Sequence, residues 1–224
     1  MPRGIFVTGT DTGIGKTVVS AALMHRYREI AGLRYWKLIQ TGIEQDDDTE
    51  TVARLSGCRR EQLLDCGARL PRPLSPHLAA RLAGTTIDVE GLLDSLAAQP
   101  ASDRWIVEGA GGVLVPIDDR TLMSDLMARL GLPAIVVAPS RLGTINHTLL
   151  TLEALRGRTI PVAGVIMVGE TNVENRLAIE HYGQVAVIGE LPMLTPLTPG
   201  SLQEIAVSID HEGSLRECFT SLRS

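Results

Sequence analysis

Apolar, largely β-branched runs alternate with helix-compatible stretches along this chain. The runs at residues 5–8, 35–39, 105–107, 134–138, 162–168 and 185–188 are continuous rather than alternating, the pattern of strands buried on both faces of a mainly parallel sheet. Between them, residues 16–31, 49–56, 77–83, 90–98, 122–130, 144–155 and 175–182 read as helices. A closing helix over residues 202–222, interrupted at Gly213, completes the pattern. Such alternation calls for right-handed crossovers and helices on both faces, so the expected fold is α/β. Pro71, Pro73 and Pro76, and later Pro192, Pro196 and Pro199, break the pattern where loops beside a ligand are expected.

Composition narrows the class. The chain has 224 residues, 44% of them hydrophobic, which suits one compact domain over residues 1–224. A net charge of -5 and the lack of a Lys/Arg cluster argue against a nucleic-acid partner. The sequence has no apolar run long enough to cross a bilayer, and residues 5–7 are too short for the apolar part of a leader, so a cytoplasmic protein without a membrane partner is expected. Cys58, Cys66 and Cys218 are odd in number and lack metal-finger spacing, which fits reduced thiols.

The first strand runs into Thr8-Gly9-Thr10-Asp11-Thr12-Gly13-Ile14-Gly15-Lys16-Thr17, a glycine-rich loop that opens a helix. This is the order of a phosphate-binding P-loop. Backbone N–H groups turn inward on phosphates, Lys16 reaches the outer oxygens, the Thr17 hydroxyl can ligate Mg²⁺, and the helix aims its positive end at the anion. Five residues separate Gly9 from Gly15 where the usual spacing has four. In a parallel sheet the ligand lies beyond the carboxyl ends of the strands, so the residues there carry the chemistry. Lys37 ends the second strand, followed by Thr41, Gly42 and the acidic run Asp46-Asp47-Asp48; Glu108 ends the third and leads into Gly109-Ala110-Gly111-Gly112. A carboxylate at a buried strand end needs a compensating cation, which makes Glu108 a candidate metal ligand with Asp48 as the second carboxylate, while Asp46 and Asp47 read as solvated. After the fourth strand, Gly143 begins a helix whose free N–H groups suit a carboxylate.

Taken together, the P-loop, Lys37 with Thr41-Gly42, Ser75-Pro76-His77, residues 107–112 and the run Leu142-Gly143-Thr144-Ile145-Asn146-His147 resemble dethiobiotin synthetases, over residues 4 to about 194. The five-residue spacing is that family's normal form. The resemblance implies a P-loop NTPase fold and a homodimer with the active site at its interface. It also implies a reaction of ATP, CO₂ and 7,8-diaminononanoate giving dethiobiotin, ADP and phosphate with Mg²⁺. One amine is carbamated, the carbamate attacks the γ-phosphate, and the second amine closes the urea. By the same resemblance Lys16 and Lys37 are catalytic. Thr12, Gly13, Ile14, Gly15, Lys16, Thr17, Val168, Gly169, Leu191, Pro192 and Met193 bind nucleotide. Thr12, Lys37, Thr41 and Gly143, Thr144, Ile145 and Asn146 bind substrate, the last four from the partner subunit, and Thr17, Asp48 and Glu108 hold the metal. Val168 departs from the pattern, since it stands where the family often has an adenine-reading asparagine. Two alternatives are a partitioning-type switch ATPase, which carries a second lysine where this chain has Asp11, and a nucleotide-binding module without turnover, which would not need Lys37, Asp48 and Glu108 together.

Overall fold

The computed structural model describes residues 2–220. Six strands form one parallel sheet in the order β2-β5-β1-β6-β7-β8, namely Leu33–Lys37, Arg104–Glu108, Arg3–Gly9, Ala134–Pro139, Val162–Val168 and Val187–Leu191. Because every strand runs the same way, Gly9, Lys37, Glu108, Pro139, Val168 and Leu191 all end on one edge of the molecule. One face is covered by α1 (Lys16–Arg26), α2 (Asp48–Ser56), α8 (Pro199–Ala206) and α9 (Arg216–Thr220). The other is covered by α3 (Pro76–Leu82), α4 (Val89–Ala97), α5 (Met123–Leu130), α6 (Thr144–Arg156) and α7 (Val173–Gly183). Strand side chains alternate between the two cores: Ile5, Val7, Tyr35 and Ile106 face the first set, Phe6, Trp36, Trp105 and Val107 the second. No helix among the described residues is long and apolar enough to cross a membrane.

The second strand lies two residues earlier than the sequence suggests. Instead of running through residues 35–39, the chain leaves the main sheet after Lys37, and Ile39–Thr41 forms a separate strand, β3, paired in parallel with β4 (Ala68–Leu70), an element the sequence pattern does not announce. The cause is local. A Cβ at Gly67 would lie 2.2 Å from the Lys37 carbonyl oxygen, so only glycine lets the returning chain approach closely enough to pair, and Ala68 N–H donates to Leu38 O at 2.9 Å.

The last strand is displaced from the expected 185–188 to Val187–Leu191, because pairing with β7 carries Gly189 and Glu190 into the ladder despite their poor strand propensity. The expected closing helix is two short ones, α8 and α9, separated by turns; its positions 221 and 222 lie outside the described residues. Finally, α1 stops at Arg26 rather than residue 31.

Tyr27, the residue after that stop, is anchored by its side chain to the C-terminal segment. Its ring packs on Phe219 at 5.1 Å between centroids and its hydroxyl donates to Asp210. Asp210 is 2% exposed and also accepts from the Ser214 hydroxyl at 2.6 Å and Leu215 N–H at 2.9 Å, while Arg26 donates to the carbonyls of Ile209 and Asp210. Burial alone would raise the Asp210 pKa, but these donors outweigh it and hold the carboxyl below its ordinary value. The folded protein therefore binds this proton less readily than the unfolded chain. Its stabilisation is present above an unfolded value of about 3.9 and is lost as pH falls through the folded one. Asp210→Asn is expected to lower stability by about 1.5–3 kcal/mol at neutral pH, the range for hydrogen bonds to a charged group. It should also flatten the acid limb of a plot of melting temperature against pH. An unchanged acid limb would show that this carboxylate does not tie the C-terminal segment to α1.

Candidate active site

The loop between β1 and α1 is shaped by glycine. Gly15 caps α1 at a φ of 97°, a left-handed conformation, and a Cβ there would also meet the Val168 side chain at 3.2 Å. Val168 thus ends β7 packed beneath the loop, with only 8% of its surface exposed. Lys16 is buried, and its ammonium donates to the carbonyl of Asp11 at 2.7 Å. Burial first, and then the charge of Lys37, lower its pKa to about 8.

Beneath Lys16 lies a cluster assembled from four elements. The Thr17 hydroxyl, in the first turn of α1, donates to Asp48 Oδ1 at 2.7 Å and lies 3.1 Å from Glu108 Oε1. Parallel register sets Lys37 on β2 directly beside Glu108 on β5, and Glu108 beside Val7 on β1. The three protons of the Lys37 ammonium go to Asp48 Oδ2 at 2.6 Å, Glu108 Oε1 at 2.7 Å and the Gly109 carbonyl at 3.0 Å. Glu108 is wholly buried, so the ammonium is its charge partner in a medium where an unpaired carboxylate is costly. Burial pulls the Lys37 pKa down, but the charges of Glu108 and Asp48 override it and the net shift is upward. The mirror effect holds at Asp48, where burial opposes ionisation and the Lys37 charge outweighs it, lowering the pKa.

Asp48 is placed by a side chain the sequence does not single out. Gln40 is 3% exposed, accepts from Asp48 N–H at 3.2 Å and donates to the Asp46 carbonyl at 2.7 Å, so it fixes the loop that delivers the carboxylate. Asp47 is more than a solvated loop residue, since it caps α2 by accepting from Thr49 and Glu50 N–H and pairs with Arg69. Tyr35 is the other unannounced member: its hydroxyl donates to Glu108 Oε2 at 2.9 Å. Burial, and then the negative charges of Glu108 and Asp48, raise the Tyr35 pKa far above its usual value, so it remains a donor. The signal available for it was its spacing, two residues before Lys37 on the same face of a strand.

Next to the loop opens a cleft of about 680 Å³, bounded by Thr12, Gly13, Ile14 and Gly15 on one side and by Ser140, Val168, Gly169, Pro192 and Met193 on others. Leu191 does not join this wall. It is 1% exposed in the core, and its carbonyl accepts from Gly169 N–H at 2.8 Å. Thr12 lies across from the glycine loop after β5, its hydroxyl 3.6 Å from where a Gly111 Cβ would stand. Thr41 is half-buried at the end of β3. Gly143, Thr144, Ile145 and Asn146 are not among the residues of the Lys37 cluster; they begin α6 beside Leu142, which is fully exposed, with Thr144 buried and Asn146 exposed.

A glycine loop opening a helix, in a parallel sheet with a lysine and a glutamate at two strand ends and a threonine and an aspartate at two helix starts beside them, defines a P-loop nucleotide-binding protein. Residues 3–201 match a family model described as an AAA domain. Among solved structures, a ParA family ATPase from Chlorobium tepidum superposes with a TM-score of 0.57 at 11% identity, over 97% of this chain and 98% of that one. The MinC:MinD cell division complex of Aquifex aeolicus gives 0.58 at 12% identity, over 99% of each chain. These likenesses carry the fold alone. Closer in sequence, an ATP-dependent dethiobiotin synthetase of Paramagnetospirillum magneticum is 51% identical over 201 residues, 89% of this chain and 93% of the relative. One from Brucella ovis is 48% identical over 202 residues, 90% and 92% respectively. The chain belongs to the ATP-dependent dethiobiotin synthetase family.

The ion cluster predicts an order of effects. Lys37→Met removes the ammonium that bridges buried Glu108 and partly buried Asp48 and is expected to cost about 3–5 kcal/mol in urea unfolding, the range for breaking a buried pair. Glu108→Gln, which keeps the shape and leaves Lys37 paired with Asp48, should cost less. The reverse order would mean that Lys37 is not what balances the cluster.

Proposed function

We propose that the protein closes a cyclic urea on 7,8-diaminononanoate, using CO₂ and ATP and releasing dethiobiotin, ADP and phosphate. The observation that carries this reading is the convergence of Lys16, Lys37, Thr17, Asp48 and Glu108 below the P-loop in a chain about half identical to named synthetases. The reading takes residues 1–224 as one catalytic domain, acting as a cytoplasmic homodimer.

The donor set fits Mg²⁺. Thr17 Oγ1, Asp48 Oδ1 and Glu108 Oε1 are hard oxygens, the two carboxylate oxygens lying 2.7 and 3.1 Å from the hydroxyl. No group of three or more His, Cys, Asp or Glu among the described residues is arranged to hold a metal. Two carboxylates and a hydroxyl suit an ion that keeps several waters and takes phosphate oxygens from its nucleotide. When bound, Mg²⁺ supplies positive charge against the triphosphate and the transferring phosphoryl group.

The rest is done by the chain's own groups. The N–H groups of the P-loop hold the triphosphate and Lys16 gives up the Asp11 carbonyl for phosphate oxygens. Asp48 and Glu108 would hold the divalent cation, whose charge would offset theirs, and the Lys37 ammonium would serve the anionic carbamate formed when a substrate amine takes up CO₂ and loses a proton. The carbamate oxygen attacks the γ-phosphorus, ADP departs, and a carbamic-phosphoric anhydride remains. The second amine then attacks its carbonyl carbon, loses a proton and expels phosphate. Both encounters bring anions together, so catalysis is positioning and charge neutralisation, with Thr12 and Thr41 holding the diamine. The start of α6, residues 143–146, holds the far carboxylate of a substrate bound to the partner subunit through its free N–H groups.

ADP release that depends on both 7,8-diaminononanoate and bicarbonate, with dethiobiotin identified by mass, tests the proposal. Lys16→Ala and Lys37→Ala should each lose at least about 2 kcal/mol of transition-state stabilisation, and Asp48→Asn should lower turnover strongly at fixed Mg²⁺. ATP turnover indifferent to the diamine would favour a switch ATPase instead.

A further inference from the structure

In β2, Tyr35 and Lys37 stand two residues apart and so leave the sheet on the same face, toward α1 and α2. Opposite them on β5 are Ile106 and Glu108. The two oxygens of the Glu108 carboxylate have divided partners. Oε1 takes the Lys37 ammonium at 2.7 Å and faces the Thr17 hydroxyl at 3.1 Å, whereas Oε2 takes the Tyr35 hydroxyl at 2.9 Å. Tyr35 and Glu108 both have no exposed surface, so water does not substitute for this contact.

We propose that Tyr35 is a positioning residue: its hydroxyl pins Oε2 of Glu108, fixing the rotation of the carboxylate so that a single oxygen, Oε1, is presented to the divalent cation. The inference rests on the reading of Glu108 as a metal ligand and adds what orients it. Without the hydroxyl, a buried oxygen loses its partner, and the carboxylate is free to rotate or to offer both oxygens to one cation. Mg²⁺ demands near-octahedral geometry and gains from a ligand already held in one orientation. Ligating carboxylates are commonly hydrogen-bonded from behind for this reason. Lys37 does not do this work, since it lies on the same oxygen as Thr17.

The test compares wild type, Tyr35→Phe, Glu108→Gln and the double variant. Each is saturated with ADP and titrated with Mn²⁺, whose free and bound forms EPR distinguishes, as a substitute for Mg²⁺. Tyr35→Phe is expected to weaken Mn²⁺ binding by about 10- to 100-fold, as loss of an outer partner of a ligand does. In activity assays it should raise the Mg²⁺ concentration for half-maximal rate by more than it lowers kcat at saturating Mg²⁺. In the Glu108→Gln background the same change should add less than about twofold, because its effect passes through Glu108. Phenylalanine keeps the ring, and thermal unfolding without metal reports whether each variant is folded; the double variant repeats the comparison with the buried negative charge removed. If Tyr35→Phe binds Mn²⁺ as wild type does while Glu108→Gln binds it more weakly, Tyr35 only fills space and the inference is wrong. If Glu108→Gln itself binds Mn²⁺ normally, the assignment of Glu108 as a ligand fails, and this inference with it.

Discussion

The charge balance between one buried lysine and two carboxylates is the constraint around which this protein is built. Glu108 has no access to water, and Lys37 and Asp48 have little, so none of the three tolerates being left unpaired. Around them β2 and β5 end, and α1 and α2 begin, within a few ångströms of one another. Parallel register supplies two of the four, since Lys37 and Glu108 are direct neighbours in the sheet. The helices supply the others, because α1 follows the P-loop and α2 follows a loop fixed by Gln40. The break in the sheet at Leu38 belongs to the same arrangement: leaving the ladder there carries the chain through β3 and into the loop that delivers Asp48 from the far side.

Much of this could be read from the sequence because its causes are local. A run of glycines between a strand and a helix is the turn that phosphate binding requires, and a glutamate ending a buried strand announces that a cation is near. Lys37 and Asp48 follow from their places after the same strand. What stayed hidden depends on tertiary pairing. The split of the second strand turns on the approach of Gly67, distant in the chain, to the Lys37 carbonyl, and the register of β8 is imposed by β7 against the preference of Gly189 and Glu190. Tyr35 reads as an ordinary apolar strand position, because its single polar atom shows its use only once Glu108, two residues beyond its β5 partner Ile106, is seen to accept from it. The anchoring of Tyr27, just past the end of α1, depends on Asp210, almost at the other end of the chain.

The site also separates what the single chain completes from what it leaves open. The P-loop forms one wall of the cleft, and Thr17, which follows Lys16, joins it to the Lys37 cluster. The start of α6 lies outside the Lys37 cluster, while Leu142, just before it and fully exposed, stands on the rim of the cleft. Val168 is a further particular of this chain, since it supports the P-loop through Gly15 and brings no hydrogen-bonding group to the cleft.

If the Lys37 ammonium and the divalent cation balance the same two carboxylates, they compete. A unit and a double positive charge about 4 Å apart repel by roughly 8 kcal/mol in a medium of effective dielectric near 20, and even a largely relieved repulsion exceeds a tenfold effect on binding. The direct measurement is the calorimetric affinity of nucleotide-free protein for Mg²⁺, in wild type and in Lys37→Ala. Binding at least about tenfold tighter in the variant is the predicted result. Equal or weaker binding in a folded Lys37→Ala protein would contradict this competition, because it would place the cation somewhere Lys37 does not guard.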